Sequence, residues 1–398
     1  MKIIVASDAF SETVSATRAA KILEEKSRQY FPGCEVMKVP LSNGDEGVLD
    51  ALCASKPLQR RRANVLNYRG ELAETEYGVL EDQTMVLQTS SILYDSKWVD
   101  MPVRERLMGS TSYGVGQLIR IGLDAGYRKF YIGAGNSLAF DGGSACIAAL
   151  GARFYDAGGQ PMEPSGNNLR KLGRIDLSAL DERLKESEIV IMTTVNNPIV
   201  GEDGTAYVYA ALEGGGPDEL INLERGMRRY IEVLRELTGK QLGEMAGLGA
   251  AGGLPTALYA ACGGQVKSGF SMVLRLIDFE SMLRDANLVI VGQDALTPYT
   301  IYRTAVSGIS LYCKARGIPV AVIAGRIEQD AEMIYGYGVT AMAAAVNTFM
   351  QKDQYEEDLP HLLGDAADNM FRMIGCGIQI QEKEQKTGGT GEGRQKRR

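Results

Sequence analysis

The chain has 398 residues, of which 45% are hydrophobic and 23% charged, and its formal net charge is −7. Single hydrophobic cores stop growing below this length, so two domains are expected. The ordinary composition excludes disorder for most of the chain, and the mildly acidic balance argues against a nucleic-acid partner, which requires a basic face.

Cysteine and histidine usage excludes further classes of site. The six cysteines form no C-x-x-C pair, and the single histidine is His361. Triads and zinc sites that need histidine are therefore not expected. The opening run MKIIVASDAF lacks the features of a secretory signal peptide, and no run approaches the ~20 apolar residues that span a bilayer. We therefore expect a reduced, cytoplasmic protein with no membrane partner.

The start of the chain predicts a parallel α/β domain. A strand at 2–7 is followed by a helix at 16–30 and by a second strand at 34–41. The loop SNGDEG then leads into a helix at 47–55. Strands and helices that alternate at this spacing are typical of a doubly wound parallel sheet.

The middle of the chain breaks this alternation. Residues 58–94 predict three antiparallel strands with turns at Arg69-Gly70 and Glu81-Asp82. Mixed helices and strands then continue to about residue 265. The elements predicted there are a helix at 113–126, a strand at 129–135, a small-residue helix at 142–150, a strand at 188–195 and a helix at 220–238.

The first alternation resumes at residue 286. The elements predicted there are a strand at 286–292, a helix at 300–317, strands at 318–325 and 338–346, and a last helix at 360–374. Two strands before the interruption and three after it predict a five-stranded parallel sheet. The predicted fold class is α/β, with a flavodoxin-like domain formed by 1–57 and 280–380 and a second α/β domain, 58–279, inserted into it. Residues 381–398 are charged and lack large apolar side chains, which predicts a disordered tail.

Ligands of a doubly wound sheet bind outside the carboxyl ends of its strands. The loops that qualify are 8–15, 42–47, 292–300 and Gly325-Arg326, together with 133–143, 196–204 and 247–255 of the inserted domain. Each of these loops also has a purely structural interpretation. The glycines of 247–255 either present backbone N–H groups to an anion or allow close packing. Asp141 is either a base or metal ligand, or a helix cap. Asp45 and Glu46 open a helix, where acids are favourable for structural reasons alone.

Taken together, these loops resemble the type I glycerate kinases over about residues 1–375. The segments that carry the resemblance, in chain order, are VASDAFSETVSA, VPLSNGDEGVLDAL, IGAGNSLAFDGGSACIAALGARF, VNNPIVGEDG, GLGAAGGLPTAL, VIVGQDALTPYT and IPVAVIAG. The resemblance implies a flavodoxin-like domain with a second α/β domain inserted. It also implies transfer of the γ-phosphoryl group of ATP, with Mg²⁺, to a hydroxyl of D-glycerate.

Site residues follow from the same resemblance, which names no metal ligand. It implies Asp8 and Asp141 as catalytic residues, and we expect both to face a common cleft between the domains. The substrate- or nucleotide-binding residues that it implies are Ser11, Asn43, Asp45, Glu46, Gly133, Gly135, Asn136, Gly142, Gly143, Asn196, Gly252, Gly253, Gln293 and Thr300.

Several charged positions of the family motifs differ in this chain. Ser11 and Glu213 stand where the family has lysines, and Asn43 stands where it has aspartate. The segment GQDALTPYT, from Gly292, replaces a family motif that holds two acids and an arginine. The G-K that follows in the family aligns with Arg303-Thr304. Phosphoryl transfer depends on such charges, so these departures bear directly on activity.

Three hypotheses stay open. The chain is a working kinase for glycerate or a similar small hydroxy acid, in which Asp45, Arg303 and Arg326 substitute for the missing charges. Alternatively, it is a non-catalytic paralogue that binds a small anion, a nucleotide or a partner subunit. The third hypothesis is a flavin mononucleotide site at loop 11–17, which matches the kinase family better and has only Trp98 for stacking. A homo-oligomer is compatible with each.

Overall fold

The computed structural model describes residues 1–10, 13–95, 101–301 and 305–388. The strands in these ranges are β1 (Lys2–Ser7), β2 (Glu35–Pro40), β3 (Leu58–Leu66), β4 (Leu72–Leu80), β5 (Thr84–Gln88), β6 (Lys129–Ala134), β7 (Arg153–Asp156), β8 (Leu172–Asp176), β9 (Glu188–Thr193), β10 (Gln265–Ser268), β11 (Leu288–Leu296), β12 (Val320–Ile327) and β13 (Ala341–Ala344).

The helices in the same ranges are α1 (Ala16–Tyr30), α2 (Val48–Cys53), α3 (Ser90–Leu93), α4 (Val103–Gly109), α5 (Tyr113–Asp124), α6 (Ser144–Ala149), α7 (Pro217–Thr238), α8 (Leu254–Cys262), α9 (Gly269–Leu276), α10 (Phe279–Met282), α11 (Ala305–Lys314) and α12 (Lys352–Gly388). Short 3₁₀ turns lie at Leu169–Lys171, Glu182–Glu186, Ala251–Gly253, Pro298–Ile301 and Ala331–Tyr337, and a π-helical turn at Ala206–Ala210. None of the described helices combines the length and apolarity that a bilayer span requires.

The chain divides into two compact units. Unit 1 comprises Met1–Leu41 and Asp278–Arg398, and unit 2 comprises Ser42–Ile277. The sequence-based boundary at residue 57 differs from this division, since segment 42–57 belongs to unit 2. The reason is long-range, because loop 42–47 packs on the end of a unit 2 strand, beside Gly133.

Unit 1 is built on a five-stranded parallel sheet in the order β13-β12-β11-β1-β2. Numbered along unit 1 alone, this is the flavodoxin-like order 2-1-3-4-5. The predicted five-stranded parallel sheet is therefore confirmed. Helix α1 starts where Ser15 Oγ accepts a hydrogen bond from the Arg18 amide, at 3.3 Å. The buried face of α1, which includes Leu23, packs with Leu363 and Phe371 of α12 in one core.

Unit 2 holds a six-stranded sheet in the order β10-β9-β6-β5-β4-β3. Strands β3, β4 and β5 form the predicted antiparallel meander, and β5, β6, β9 and β10 are parallel. The buried core of this unit includes Phe130 and Ile132 of β6, Leu118 of α5 and Tyr230 of α7. Alternating apolar residues in the strands and apolar stripes on the helices thus bury one continuous core.

The end of the chain departs from the prediction in extent. The last helix begins at residue 352 rather than 360 and continues to 388, so residues 381–388 are helical where a disordered tail was expected. Glutamate, lysine and glutamine favour helices, and here they extend a helix already begun. The helix predicted at 300–317 is preceded by the 3₁₀ turn at Pro298–Ile301 and begins at Ala305. Ser11, Trp98, Arg303, Thr304 and residues 389–398 lie outside the described residues.

Candidate functional site

The parallel strands of the six-stranded sheet end along one edge of unit 2. Ala134 at the end of β6 pairs with Thr193 at the end of β9, and Thr193 pairs with Ser268 at the end of β10. The loops 135–143 and 194–204 therefore start side by side. Open α/β sheets bind ligands at this edge.

Loop 42–47 packs on this edge through contacts that leave no room for a side chain at three glycines. A Cβ on Gly133 would lie 2.6 Å from Gly44 O, and one on Gly135 would lie 2.6 Å from Asp45 Oδ2. A Cβ on Gly44 would lie 2.4 Å from Gly269 Cα, at the start of α9. Only glycine permits these approaches, which explains why GAG and SNG stand in the two loops.

Asp45 is the buried side chain beneath this loop, with 1% of its surface exposed. Its carboxylate oxygens accept the Ser90 amide at 3.2 and 3.3 Å. Burial raises the pKa of Asp45 to about 7, while the hydrogen bonds from Ser90 and Thr89 act in the opposite direction and Glu46 raises it further. Asp45 therefore anchors the loop from below rather than facing solvent.

The exposed polar side chains of the edge are a different set. Glu46 is exposed, and its Oε2 accepts a hydrogen bond from Asn136 Nδ2 at 3.4 Å. Asn43 and Asn196 are also exposed. The structure thus places these four predicted residues in loops at the strand ends of unit 2, and it joins Glu46 to Asn136 directly.

Asp141 is fully buried, and its carboxylate is saturated by backbone and hydroxyl donors. Oδ2 accepts the Ser112 amide at 2.8 Å and the Ser112 hydroxyl at 2.9 Å, and Oδ1 accepts the Gly143 amide at 2.9 Å. Burial raises the pKa of Asp141, although bonds from Ser112, Gly143 and Ala145 lower it. This geometry supports the capping interpretation, since Asp141 joins the start of α5 to the start of α6. A direct part in chemistry stays a prediction.

The glycines at 142, 143, 252 and 253 pack one loop against another. The Gly142 amide donates to Gly252 O at 3.0 Å. A Cβ on Gly252 would lie 1.7 Å from Ala139 O, and one on Gly143 would lie 2.7 Å from Leu254 O. All four glycines have positive φ and are buried. Close packing accounts for them, and contact with a phosphate stays a prediction.

Unit 1 presents a second strand edge with predicted residues. Ser7 of β1 pairs with Gly292 of β11, and the Asp8 amide donates to Gly292 O at 2.9 Å. Asp8 Oδ1 accepts the Ala9 amide at 2.8 Å. Thr300 is buried, and its Oγ1 accepts the Thr297 amide at 2.8 Å, which closes the turn after β11. Asp8 lies in unit 1 and Asp141 in unit 2, and the expected common cleft stays a prediction.

A side-chain network adjoins this edge of unit 1. Asp294 Oδ1 accepts the Tyr355 hydroxyl at 2.8 Å, and Arg326 Nη1 lies 3.7 Å from Asp294 Oδ2. Burial, followed by the bond to Asp294, raises the pKa of Tyr355. Gln293 Oε1 is buried and has no hydrogen-bond partner among the described residues. The predicted residue Gln293 therefore carries an acceptor that the described chain leaves unsatisfied.

The possible metal ligands among the described residues can be compared with those that Mg²⁺ requires. Within the described residues, no group of three or more His, Cys, Asp or Glu is arranged to hold a metal. Mg²⁺ in phosphoryl-transfer sites is usually held by one or two carboxylates together with substrate phosphates, so it does not need such a group. Glu46 is an exposed carboxylate of that kind at a strand edge. The residues present therefore fit a magnesium ion, and binding of the ion and of a nucleotide stays a prediction.

Sequence reasoning missed two contributors. Ser90 was not singled out, although it holds Asp45, because its contact is 45 residues distant in sequence. Lys267 was also missed. It is exposed at the end of β10, and Thr193 Oγ1 donates to its carbonyl at 3.3 Å. The lysine in the strand end VKSG, before a helix, is the signal that could have identified it.

The chain has a flavodoxin-like parallel sheet that is interrupted by a second α/β unit, and polar loops lie at the strand ends. These features define a class of two-unit α/β proteins in which ligands bind at strand ends. Within this class, the model of the glycerate kinase family matches residues 3–375. The chain therefore belongs to the glycerate kinase family, which confirms the resemblance of its loops. The chain is therefore a glycerate kinase-like protein, in the kinase class of transferases.

Individual relatives agree with this membership. The chain is 32% identical over 346 residues to a glycerate kinase of Bacillus subtilis, covering 87% of this chain and 90% of the relative. It is 30% identical over 354 residues to a glycerate 2-kinase of Escherichia coli, covering 89% and 93%. A crystal structure described as a glycerate kinase 2 from Salmonella typhimurium LT2 superposes with a TM-score of 0.80 at 30% identity, over 95% of this chain and 99% of that chain.

Proposed function

We propose that this protein transfers the γ-phosphoryl group of ATP to a hydroxyl of glycerate or a similar small hydroxy acid. One observation carries the proposal beyond family membership. The glycine-packed edge of unit 2 holds the exposed pair of Glu46 and Asn136 above a buried anchor, Asp45. A carboxylate held at a rigid strand edge suits Mg²⁺-dependent phosphoryl transfer, in which catalysis is mostly positioning and electrostatics.

The roles of the residues follow from their chemistry. Glu46 would hold Mg²⁺, which supplies neutralisation of phosphate charge when bound with the nucleotide. Lys267 is an exposed cation at the same strand edge and is suited to an anionic group of the substrate. Asp45 keeps loop 42–47 in place from beneath. In unit 1, Arg326 is a cation beside Asp294.

A second candidate function is binding of a small anion, a nucleotide or a partner subunit without turnover. The substituted motif positions favour it. Asn43 is neutral where the family has an acid, and Glu213 is an acid whose pKa is raised by burial. Gln293 is neutral and has an unsatisfied buried oxygen among the described residues. Because cations and acids neutralise charge in phosphoryl transfer, these changes disfavour turnover more than binding.

One experiment separates the two candidates. The purified chain is mixed with ATP, Mg²⁺ and D-glycerate, ADP release is followed, and ATP binding is measured by calorimetry on the same sample. Glycerate-dependent release supports the kinase, whereas ATP binding without release supports the second candidate. Absence of both ATP binding and release contradicts the kinase and the nucleotide-binding form of the second candidate.

The combined variant Ser11→Lys, Asn43→Asp, Glu213→Lys and Gln293→Glu tests the cause. It should raise the rate of ADP release if the substitutions limit turnover, and each single change should do little, because groups that act as a unit are non-additive. An unchanged rate in a combined variant that still folds would contradict this explanation.

A further inference from the structure

Helix α7 carries an arginine-rich groove away from the strand edge. Arg225, Arg228, Arg229 and Arg235 line an open groove of about 800 Å³, whose opposite wall is formed by residues 241–244. Positions 225, 228 and 235 are spaced by three and seven residues, so they recur on one face of the helix. The groove lies within unit 2 and is built from one helix and the segment that follows it.

The charge of the groove is opposite to that of the whole chain. Four arginines face two carboxylates, Glu232 and Glu244, in a chain whose net charge is −7. Arg229 is occupied, since its Nη1 lies 2.7 Å from Glu232 Oε2 and its Nε donates to Leu172 O at 2.8 Å. Arg225 and Arg235 are exposed, and their side chains make no hydrogen bond or ion pair within the described residues.

We propose that this groove binds a small molecule that carries a phosphoryl or pyrophosphoryl group. The guanidinium fork matches phosphate oxygens with two parallel hydrogen bonds, and Arg225 and Arg235 are both available for such bonds. The groove is within the size range of sites that hold small ligands. This inference does not depend on the proposed kinase function.

A chain of contacts links the groove to a loop of the strand edge. Arg228 Nη2 lies 2.6 Å from Glu224 Oε1, and the same oxygen accepts the Gly201 amide at 3.0 Å. Glu224 is buried, and its Oε2 has no hydrogen-bond partner among the described residues. An anion that draws Arg228 toward itself leaves this buried carboxylate without its cation. Binding in the groove therefore changes the hydrogen bond between Glu224 and Gly201, in loop 196–204, because the Gly201 amide is then the remaining donor to Oε1.

The test uses inorganic pyrophosphate as the probe and the full chain as the protein. Calorimetric titration is made at low ionic strength and repeated at 0.15 M salt, where surface charges are screened over about 8 Å. The wild type should bind pyrophosphate. The double variant Arg225→Gln/Arg235→Gln should bind it about tenfold or more weakly. If the wild type also binds pyrophosphate at a second site elsewhere, the variant should lose one of the two sites. The matched control is Arg153→Gln/Arg275→Gln, which removes the same charge at two exposed arginines outside the groove.

Each outcome decides the proposal. Weaker binding in the groove variant alone supports the site. Absence of binding to the wild type, unchanged binding in the groove variant, or an equal loss in the control would overturn it. The link is tested by amide hydrogen exchange at Gly201, whose rate should change with pyrophosphate in the wild type and the control but not in the groove variant. Unchanged exchange at Gly201 in the bound wild type would overturn the link.

Discussion

The strand edges of the two units are held in different ways. In unit 2 the tight glycines Gly44, Gly133 and Gly252 meet main-chain atoms, and a Cβ on Gly252 would lie 1.7 Å from Ala139 O. At Gly292 of unit 1 the nearest atom belongs to a side chain, since a Cβ there would meet Ser7 Oγ at 2.3 Å. Backbone cannot give way without moving a strand or loop, whereas a side chain can rotate. The unit 2 edge at these three glycines is therefore the fixed edge, and the unit 1 edge at Gly292 is the adjustable edge.

The largest effect should come from Gly252→Ala in the fixed edge. The added methyl would overlap the Ala139 carbonyl, and we expect a loss of about 4 kcal/mol or more in the free energy of unfolding. Gly263→Ala is the matched control, because Gly263 has a similar φ of 71° against 65° and nothing within 4 Å of its Cβ. The control should lose only about 1 kcal/mol. Equal losses in urea denaturation would show that backbone strain, not the contact, dominates.

The next effect is the pH dependence of stability due to Asp45. Burial raises its pKa from 3.8 to about 7, so the folded protein keeps a proton that the unfolded chain releases. The resulting stabilisation is present at low pH and is lost as pH rises through about 7. From pH 5 to pH 8 the free energy of unfolding should fall by about 2–3 kcal/mol from this group. Asp45→Asn removes the titration, and parallel stability–pH curves for the two proteins would contradict the assignment.

A smaller effect is expected for Gly292→Ala in the adjustable edge. The new methyl meets the Ser7 hydroxyl, which can rotate, so we expect a loss of about 1–2 kcal/mol. The double variant Ser7→Ala/Gly292→Ala should recover part of that loss, because Ser7 Oγ is the nearest obstacle. If the double variant were no more stable than Gly292→Ala, the obstacle would lie in the backbone, and the contrast between the edges would be wrong.

The smallest effect concerns the network of unit 1. Tyr355→Phe removes the hydrogen bond to Asp294 and should lower the free energy of unfolding by about 1 kcal/mol. Tyr335→Phe, at a tyrosine whose surface is 43% exposed, is the control and should change almost nothing. A loss for Tyr355→Phe as large as that for Gly252→Ala would mean that the edge of unit 1 is also rigidly fixed.

The sequence predicted the elements that depend on local patterns. Short apolar runs gave the five parallel strands of unit 1, and runs separated by turn residues gave the meander of unit 2, because these patterns are set within each segment. It could not predict the position of segment 42–57, which depends on glycines about 90 residues further along the chain. The burial of Asp45 could not be predicted for the same reason. Residues 381–388 were misjudged because composition alone does not show that a preceding helix can continue.

The same difference between local and long-range information applies to the candidate site. Loops 42–47 and 196–204 follow strands as predicted, whereas residues 292–296 belong to β11 and Gly325-Arg326 lies inside β12. The roles within the loops were not separable from sequence, because Asp45, Glu46 and Asp141 are all acids before a helix. Only the structure distinguishes two buried anchors, Asp45 and Asp141, from the exposed Glu46.

We propose that the chain phosphorylates a small hydroxy acid with ATP at a site that includes Glu46. The most direct test is phosphorus NMR of the chain with ATP, Mg²⁺ and D-glycerate. We expect a phosphomonoester of glycerate to grow as ATP is consumed, and Glu46→Gln to slow it by about 10²–10³ with an unchanged melting temperature. If the folded wild type consumed no ATP and formed no phosphomonoester, the account would be contradicted. A Glu46→Gln variant with unimpaired activity would contradict the assignment of the site.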